Sequence, residues 1–414
     1  MTIRNYFHAG ICGLLVAYIA VLPFKPLLVL ERNGFLVLLG LLVLWCAVNR
    51  KLFYVPTPFD RMLLALVAWV GITLPFSVSP LYSVKEYGKL LQHMVVFYAV
   101  LYFMKDHRWQ RFLITVLGVI TVVVAGYGLT QFDPSNGQAA KSFFPSEIWL
   151  TTFLVMLFPF VFALSFSDGM GHLKWTGGVL SVLVAGCLVI TQSRAGLVSL
   201  LVELGVVAWL VRSLKAGMVA ATTAVIVIAA MLFAINVDLG KEGEALQDVR
   251  KSIPVQTSAV SIYHRFDIWR FTLSEIAKHG LVGIGYGGHS YLFKYGEEHE
   301  EVEPGRAPVK RAGTHNIFLY HALHVGLPGM VLFGWLYGAV LVKTAREYWA
   351  AAPGVQKTLL AGATGAFSGL LCRLQFDQML VGSLAVLFWA LVGLTVLQYR
   401  EMRGGGESEA VVPR

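Results

Sequence analysis

The stretch "GTHNIFLYHALHVGLPGMVLF", residues 313–333, decides the fold. It is polar up to Asn316 and then stays apolar for about a membrane's width. A helix carries such a run through hydrocarbon, because each backbone N–H and C=O must find its partner within the segment. His315 stands where the chain re-enters the apolar run. It is either an amphipathic side chain tolerated at an interface or one of several reacting groups gathered at one face of a bilayer. Choosing between these needs the topology.

Working outward, the chain of 414 residues is 57% hydrophobic and 14% charged, with mean hydropathy +0.67. Soluble domains carry about 25% charged residues, so this is an all-α polytopic membrane protein by composition. The cysteines, Cys12, Cys46, Cys187 and Cys372, all fall in apolar segments and offer neither a disulfide framework nor a C-x-x-C metal spacing. The N-terminal "MTIRNYFHAGICGLLVAYIAVLPF" lacks a small-x-small cleavage site and is followed by further spans. It reads as the first helix, not a removable signal. A net charge of +9 would point to nucleic acid in a soluble protein; here much of it sits in short loops beside helices, so no nucleic-acid partner is expected.

Apolar runs bounded by charges or turn residues predict twelve transmembrane helices at 7–24, 34–49, 62–77, 89–104, 111–131, 147–166, 175–191, 196–212, 217–236, 316–342, 358–373 and 378–398. With the N-terminus inside, the inner short loops and tail hold sixteen Lys and Arg against seven in the outer ones. That bias puts both termini in the cytoplasm. The expected organisation is 1–236 with helices one to nine, 237–315 as a large outer loop with short helices, 316–398 with helices ten to twelve, and 399–414 as a cytoplasmic tail. Within the long loop, "SIYHRFDIWRFTLSEIAKHG" places Ile262, Phe266, Trp269, Leu273 and Ile276 on one face of an amphipathic helix, stopped by Gly280. That helix lies on the membrane surface or packs over the bundle. "GIGYGG" and the acidic run "GEEHEEVEPGR" follow. We find no fixed-period repeat.

This topology collects Arg194, Arg265, His315 and Arg373 at the outer face, where short loops normally avoid cations. Arginine suits phosphate because its guanidinium stays charged and offers paired donors. The cluster therefore points to a lipid phosphate or pyrophosphate; the plain reading of each arginine alone is a snorkelling side chain or a helix-end contact. Lys85 and Lys89 are weaker members of the outer basic set. His315 is the acid–base candidate, with a capping histidine as the plain reading. Thr314 and Asn316 could take the capping role themselves. His321 and His324 read as packing or hydrogen-bonding residues deeper in the span. Glu203, inside span eight, is functional by default, or else protonated or paired with a neighbouring helix. The glycines of "GIGYGG" allow a tight turn or a close backbone approach, and a nucleotide fingerprint lacks its βαβ context. With no Asp-x-Asp and no spaced ligand pair, metal-independent chemistry without a cofactor is expected.

Three stretches, "TQSRAGLVSLLVELG", "HRFDIWRFTLSEIAKHGLVGIGYGGHSYLF" and "THNIFLYHALHVGLPGMVLF", resemble the diagnostic segments of the O-antigen ligase and polymerase superfamily. The shared pattern is Ser-Arg-Ala/Gly in an outer turn, Arg-x-x-x-Trp leading to Gly-x-Gly, and His-Asn before a span with Gly-x-x-Gly. It covers roughly residues 190–335, with one departure at "KHGLVGIG", where members often carry a proline after the histidine. The resemblance implies an O-antigen ligase: a glycosyltransferase moving glycan from undecaprenyl pyrophosphate to a sugar of lipid A-core, at the periplasmic face of a Gram-negative inner membrane. It further implies that Arg194 and Arg265 bind the pyrophosphate and that His315 is the general base of an inverting displacement. Arg373, Lys85, Lys89 and Asn316 are expected to help hold substrate. The implied partners are the lipid-linked donor, the lipid A-core acceptor and membrane lipids. Alternatives are the O-antigen polymerase, a protein O-oligosaccharyltransferase of the same superfamily, and a lipid or glycan transporter.

Overall fold

The computed structural model describes residues 3–132, 139–167, 171–229, 258–297 and 308–408. Among these residues there are helices and turns and no strand. The helices are α1 (Ile3–Val21), α2 (Leu28–Asn49), α3 (Asp60–Thr73), α4 (Pro80–Phe103), α5 (His107–Thr130), α6 (Glu147–Ser165), α7 (His172–Ile190) and α8 (Arg194–Val211). Next come α9, described over Leu214–Ala229, α10 (Ser258–His279), α11 (His289–Tyr295), α12 (Ile317–Ala350), α13 (Val355–Arg373) and α14 (Gly382–Ser408). Seven are long and apolar enough to cross a membrane: α2 with its preceding turn, α5, α6, α7, α8, α12 and α14. The protein is an all-α polytopic membrane protein, and each of the twelve predicted apolar runs overlaps a helix, the run 217–236 over its described part up to 229.

Helix ends moved where charge was compatible with helix. α12 continues to Ala350 because Lys343 and Glu347 pair one turn apart, 2.6 Å from each other. α14 runs past the predicted end at 398 to Ser408. The acidic run lies outside the described residues from position 298, as does much of the loop before α10.

Small residues build the core around α13. A Cβ on Gly362 would meet Phe160 Cα at 2.7 Å, and one on Gly365 would meet Pro159 Cβ at 2.9 Å. The stripe lets α6, α8 and α13 approach closely, which is how membrane helices associate without a hydrophobic driving force between them. It also brings Arg373, at the end of α13, towards the beginning of α8.

α12 is broken at Gly326, whose φ of 78° lies in the left-handed region, and restarts at Pro328. The backbone groups freed at the break are bonded again. Trp69 Nε1 donates to Val325 O at 2.7 Å, Ile284 N to Leu323 O at 2.9 Å, Gly285 N to His324 O at 3.0 Å, and Leu327 N to Gly280 O at 2.7 Å. This satisfies the requirement for a helix break at membrane depth. The partner segment is "GIGYGG". Its Gly283 and Gly285 have positive φ, and a Cβ there would strike His324 and Ser77 at 2.4 and 1.9 Å. The close approach these glycines permit is to the chain itself.

The amphipathic face of α10 differs from the predicted one. Ile268, Thr272, Glu275 and Ile276 are buried, whereas Phe266 and Leu273 are exposed. The polar members of the packed face are tolerated because Tyr295 Oη donates to Glu275 Oε2 at 3.0 Å and Lys278 pairs with Oε1 at 2.5 Å. Thr272 sits against the bundle with the smaller bulk of a β-branched hydroxyl.

Candidate active site

Three connections converge at one end of the bundle. The turn before α8 places Arg194 at its first position, with Ser193 capping the helix by accepting from Gly196 N at 3.2 Å. α10 presents Arg265, half-buried, on the side that packs against the bundle, one turn before Ile268 and two before Thr272. The third is the pairing of residues 313–317 with the α13–α14 connection. Thr314 N donates to Gln378 Oε1 at 3.2 Å, Asn316 Nδ2 to Gln375 O at 3.1 Å, and Ile317 N to Leu374 O at 2.9 Å. These bonds hold His315, whose φ of 45° is left-handed, directly over the connection.

Asp377 is the hub. Its Oδ1 lies 3.5 Å from His315 Nδ1, an ionic separation longer than a good hydrogen bond, and its Oδ2 lies 3.4 Å from Arg373 Nη2. Asp377 is 3% exposed. Burial pushes its carboxyl upward, but His315, Arg373 and Arg265 together outweigh that and hold it below the ordinary carboxylate range. Arg265 feels the charges of Asp377, Arg194 and Arg373. Burial is the main reason that its guanidinium sits below its ordinary value, with Asp377 opposing and Arg194 adding to the shift. Arg373 is 1% exposed, and its Nε and Nη1 have no protein partner. Arg265 and Arg373 act on this one carboxylate and Arg194 acts on Arg265, so positive charge is in excess and Arg373 keeps unfilled donors, an arrangement suited to an anion. Contact with Asp377 favours the imidazole tautomer protonated at Nδ1 and leaves Nε2 as the proton acceptor. His315 is 30% exposed, within reach of a substrate.

The structure thus brings Arg194, Arg265, His315 and Arg373 together. Asn316 is committed elsewhere: its Oδ1 caps α12 by accepting from Phe318 N and Leu319 N at 2.9 and 3.1 Å. Lys89 pairs with Glu86 at 2.6 Å on α4, and Lys85 is exposed on the same helix beside the glycine loop. Neither lysine belongs to the set coupled to Asp377, which is His315, Arg373 and Arg265. His324 is fully buried and its Nδ1 meets Gly285 O at 2.9 Å; His321 stacks on Phe333. Glu203 is fully buried beside Gly369, with no hydrogen-bond partner on either oxygen.

Asp377 is the residue that sequence reasoning passed over. The available signal was electrostatic: three arginines and a histidine assigned to one face without a carboxylate to organise them, and an Asp four residues after Arg373 in "RLQFD". Among the described residues no group of three His, Cys, Asp or Glu side chains is placed to hold a metal ion.

A comparison with curated proteins returns no match. Residues 179–334 match the family model described as O-Antigen ligase. The matched segment contains Arg194, Arg265 and His315, while Arg373 and Asp377 are joined to it only through the fold. From within α7 to the middle of α12, the chain is therefore similar to the O-antigen ligase family.

Proposed function

We propose that the protein is an O-antigen ligase, moving a glycan from undecaprenyl pyrophosphate to a sugar of lipid A-core at the periplasmic face of the inner membrane. The observation that supports this reading is the cluster of Arg265, Arg373 and His315 at Asp377, with Arg194 acting on Arg265. The arginines receive the pyrophosphate. His315 Nε2 takes the proton from the acceptor hydroxyl as its oxygen bonds the anomeric carbon. The anomeric carbon–phosphate oxygen bond breaks on the opposite face, and the electron pair leaves on the pyrophosphate. The sugar is inverted. The imidazolium formed is stabilised by Asp377, and guanidinium donors stabilise the charge growing on the leaving group. The leaving group is already activated, so the reaction draws on no nucleotide. The proposed topology keeps both termini in the cytoplasm, which places this site on the outer side.

Reconstitution with the purified lipid-linked donor and lipid A-core in EDTA tests the proposal. Glycan should appear on lipid A-core at a rate unaffected by the chelator. Activity lost in EDTA and restored by Mg²⁺ or Mn²⁺ would overturn the metal-free mechanism. Extension of the lipid-linked glycan alone would assign the chain to the polymerases, transfer to protein to the protein oligosaccharyltransferases, and movement of donor across the bilayer without transfer to a transporter.

A further inference from the structure

We infer that α10 is an interfacial helix, with the face carrying Phe266, Leu273, Ala277 and Leu281 immersed in the hydrocarbon of the bilayer at the rim of the site. The occupant of this surface is lipid acyl chain. Three observations carry the assignment.

The first is that α10 has three faces. Successive residues stand about 100° apart on a helix. Ile268, Thr272, Glu275 and Ile276 form the face packed on the bundle. Asp267, Arg270, Ser274 and Lys278 form a polar strip on the far side. Between them lie Phe266, Leu273 and Ala277, all exposed, with Phe266 and Leu273 at 58% and 57%. A helix that rested in water over the bundle would need only the first two faces. A third, apolar and uncovered, is what a helix at a lipid boundary presents.

The second is depth. Gly280 O, at the end of α10, accepts from Leu327 N, and Leu281 O lies against Gly326. At ~1.5 Å per residue, Leu327 is about 24 Å along α12 from Lys343. With Lys343 at the inner boundary, that depth is inside a hydrocarbon core of ~30 Å. The end of α10 is therefore below the outer surface of the core.

The third is continuity. Leu281 is 71% exposed and Leu327, on a membrane-crossing helix, is 46% exposed. Leu327 Cδ1 passes 3.6 Å from the position a Cβ on Gly280 would take. The apolar face of α10 thus runs on into a surface that belongs to a bilayer span. One consequence rests on the proposed reaction: Arg265 is about a quarter-turn from Phe266 on the same helix, so an anion on a hydrocarbon tail meets its charge partner and its solvent on adjacent faces.

The test needs no activity. In a chain with the four cysteines replaced, single cysteines at Phe266, Leu273 and Leu281, and at Arg270 and Lys278 for comparison, carry a polarity-sensitive fluorophore in phosphatidylethanolamine–phosphatidylglycerol nanodiscs. Acyl-chain nitroxides should quench Leu273→Cys and Leu281→Cys roughly twofold or more above Arg270→Cys and Lys278→Cys, and aqueous iodide should show the opposite order. Equal iodide quenching at all positions overturns the inference, as does protection of Leu273→Cys and Leu281→Cys from both quenchers, which would mean protein covers the face. Should Leu273→Cys fail to fold, Phe266→Cys gives the same reading. The unmodified chain gives an independent one: a lipid with a photoreactive acyl chain should crosslink within residues 266–281, and absence of that crosslink sinks the idea.

Discussion

Two buried carboxylates lie along α13 and its continuation, and the fold treats them in opposite ways. Glu203 is fully buried against Gly369, without a hydrogen bond and in the middle of a packed interface of small residues. Asp377 is 3% exposed, but it joins His315 and Arg373 and lies in the field of Arg265. Burial is common to both, so burial does not mark the site. The difference is the set of three partners that an otherwise costly group gathers from three separate parts of the chain. A carboxylate on which an imidazole and two guanidiniums converge is a place where charge is managed. A carboxyl lodged against glycine is a place where volume is managed.

The comparison can be broken most decisively at His315. His315→Ala should lower transfer by about 10²–10⁴-fold, the usual contribution of a general base, while donor binding stays within a few-fold because the phosphate contacts remain. Transfer near the wild-type rate would remove His315 from the chemistry. Arg265→Lys keeps the charge but loses the paired donors, so it should cost roughly 10²–10³-fold in transfer. A lysine variant as fast as the parent would mean that charge alone suffices at this position.

Asp377→Asn tests the hub directly. Transfer should fall by roughly 10- to 100-fold through the turnover rate, with the donor dissociation constant little changed, because the amide cannot orient and stabilise the imidazolium as a carboxylate does. Its effect on stability has a defined pH window. The folded carboxyl sits below the ordinary value near ~3.9, so its stabilising contribution is complete above that pH and is lost as pH falls through the folded value. The melting temperature of the parent should exceed that of Asp377→Asn at neutral pH, and the gap should close on acidification below about pH 4. A gap that widens with acid would contradict a stabilising ionised Asp377.

The helices were legible because long apolar runs leave the backbone one solution. The arginines and His315 stood out in the sequence because each breaks a local rule for its place in the proposed topology. What could not be read was distance. Positions 265, 315 and 377 are far apart in sequence, and nothing in their spacing says that one carboxylate faces the other two. The face of α10 was misjudged for a related reason. Apolar residues mark a face that leaves water, whether it enters protein or lipid, and only the contacts of Ile268 and Thr272 show which is which. The break in α12 had a visible signal in "GLPG", Gly326–Gly329, where a glycine precedes a proline that supplies no N–H.

The smallest expected effect lies at the other carboxylate, and it is the sharpest control on the whole contrast. Glu203→Gln preserves volume and lies outside the cluster proposed to meet substrate, so transfer should change by less than about twofold, in line with volume-conserving changes elsewhere in packed cores. Gly369→Ala attacks the same contact from the opposite side. Its new Cβ would stand 2.2 Å from Glu203 Oε1, and the helices must separate or the carboxyl must turn. Overpacking of this kind costs about 1–3 kcal/mol, read as a lower melting temperature, while the turnover of the protein that remains folded is unchanged. If Glu203 acted in catalysis, the pattern would reverse: Glu203→Gln would lose turnover at full stability. That outcome would make Glu203 a second functional carboxyl and would dissolve the distinction between managing charge and managing volume on which the assignment of Asp377 rests.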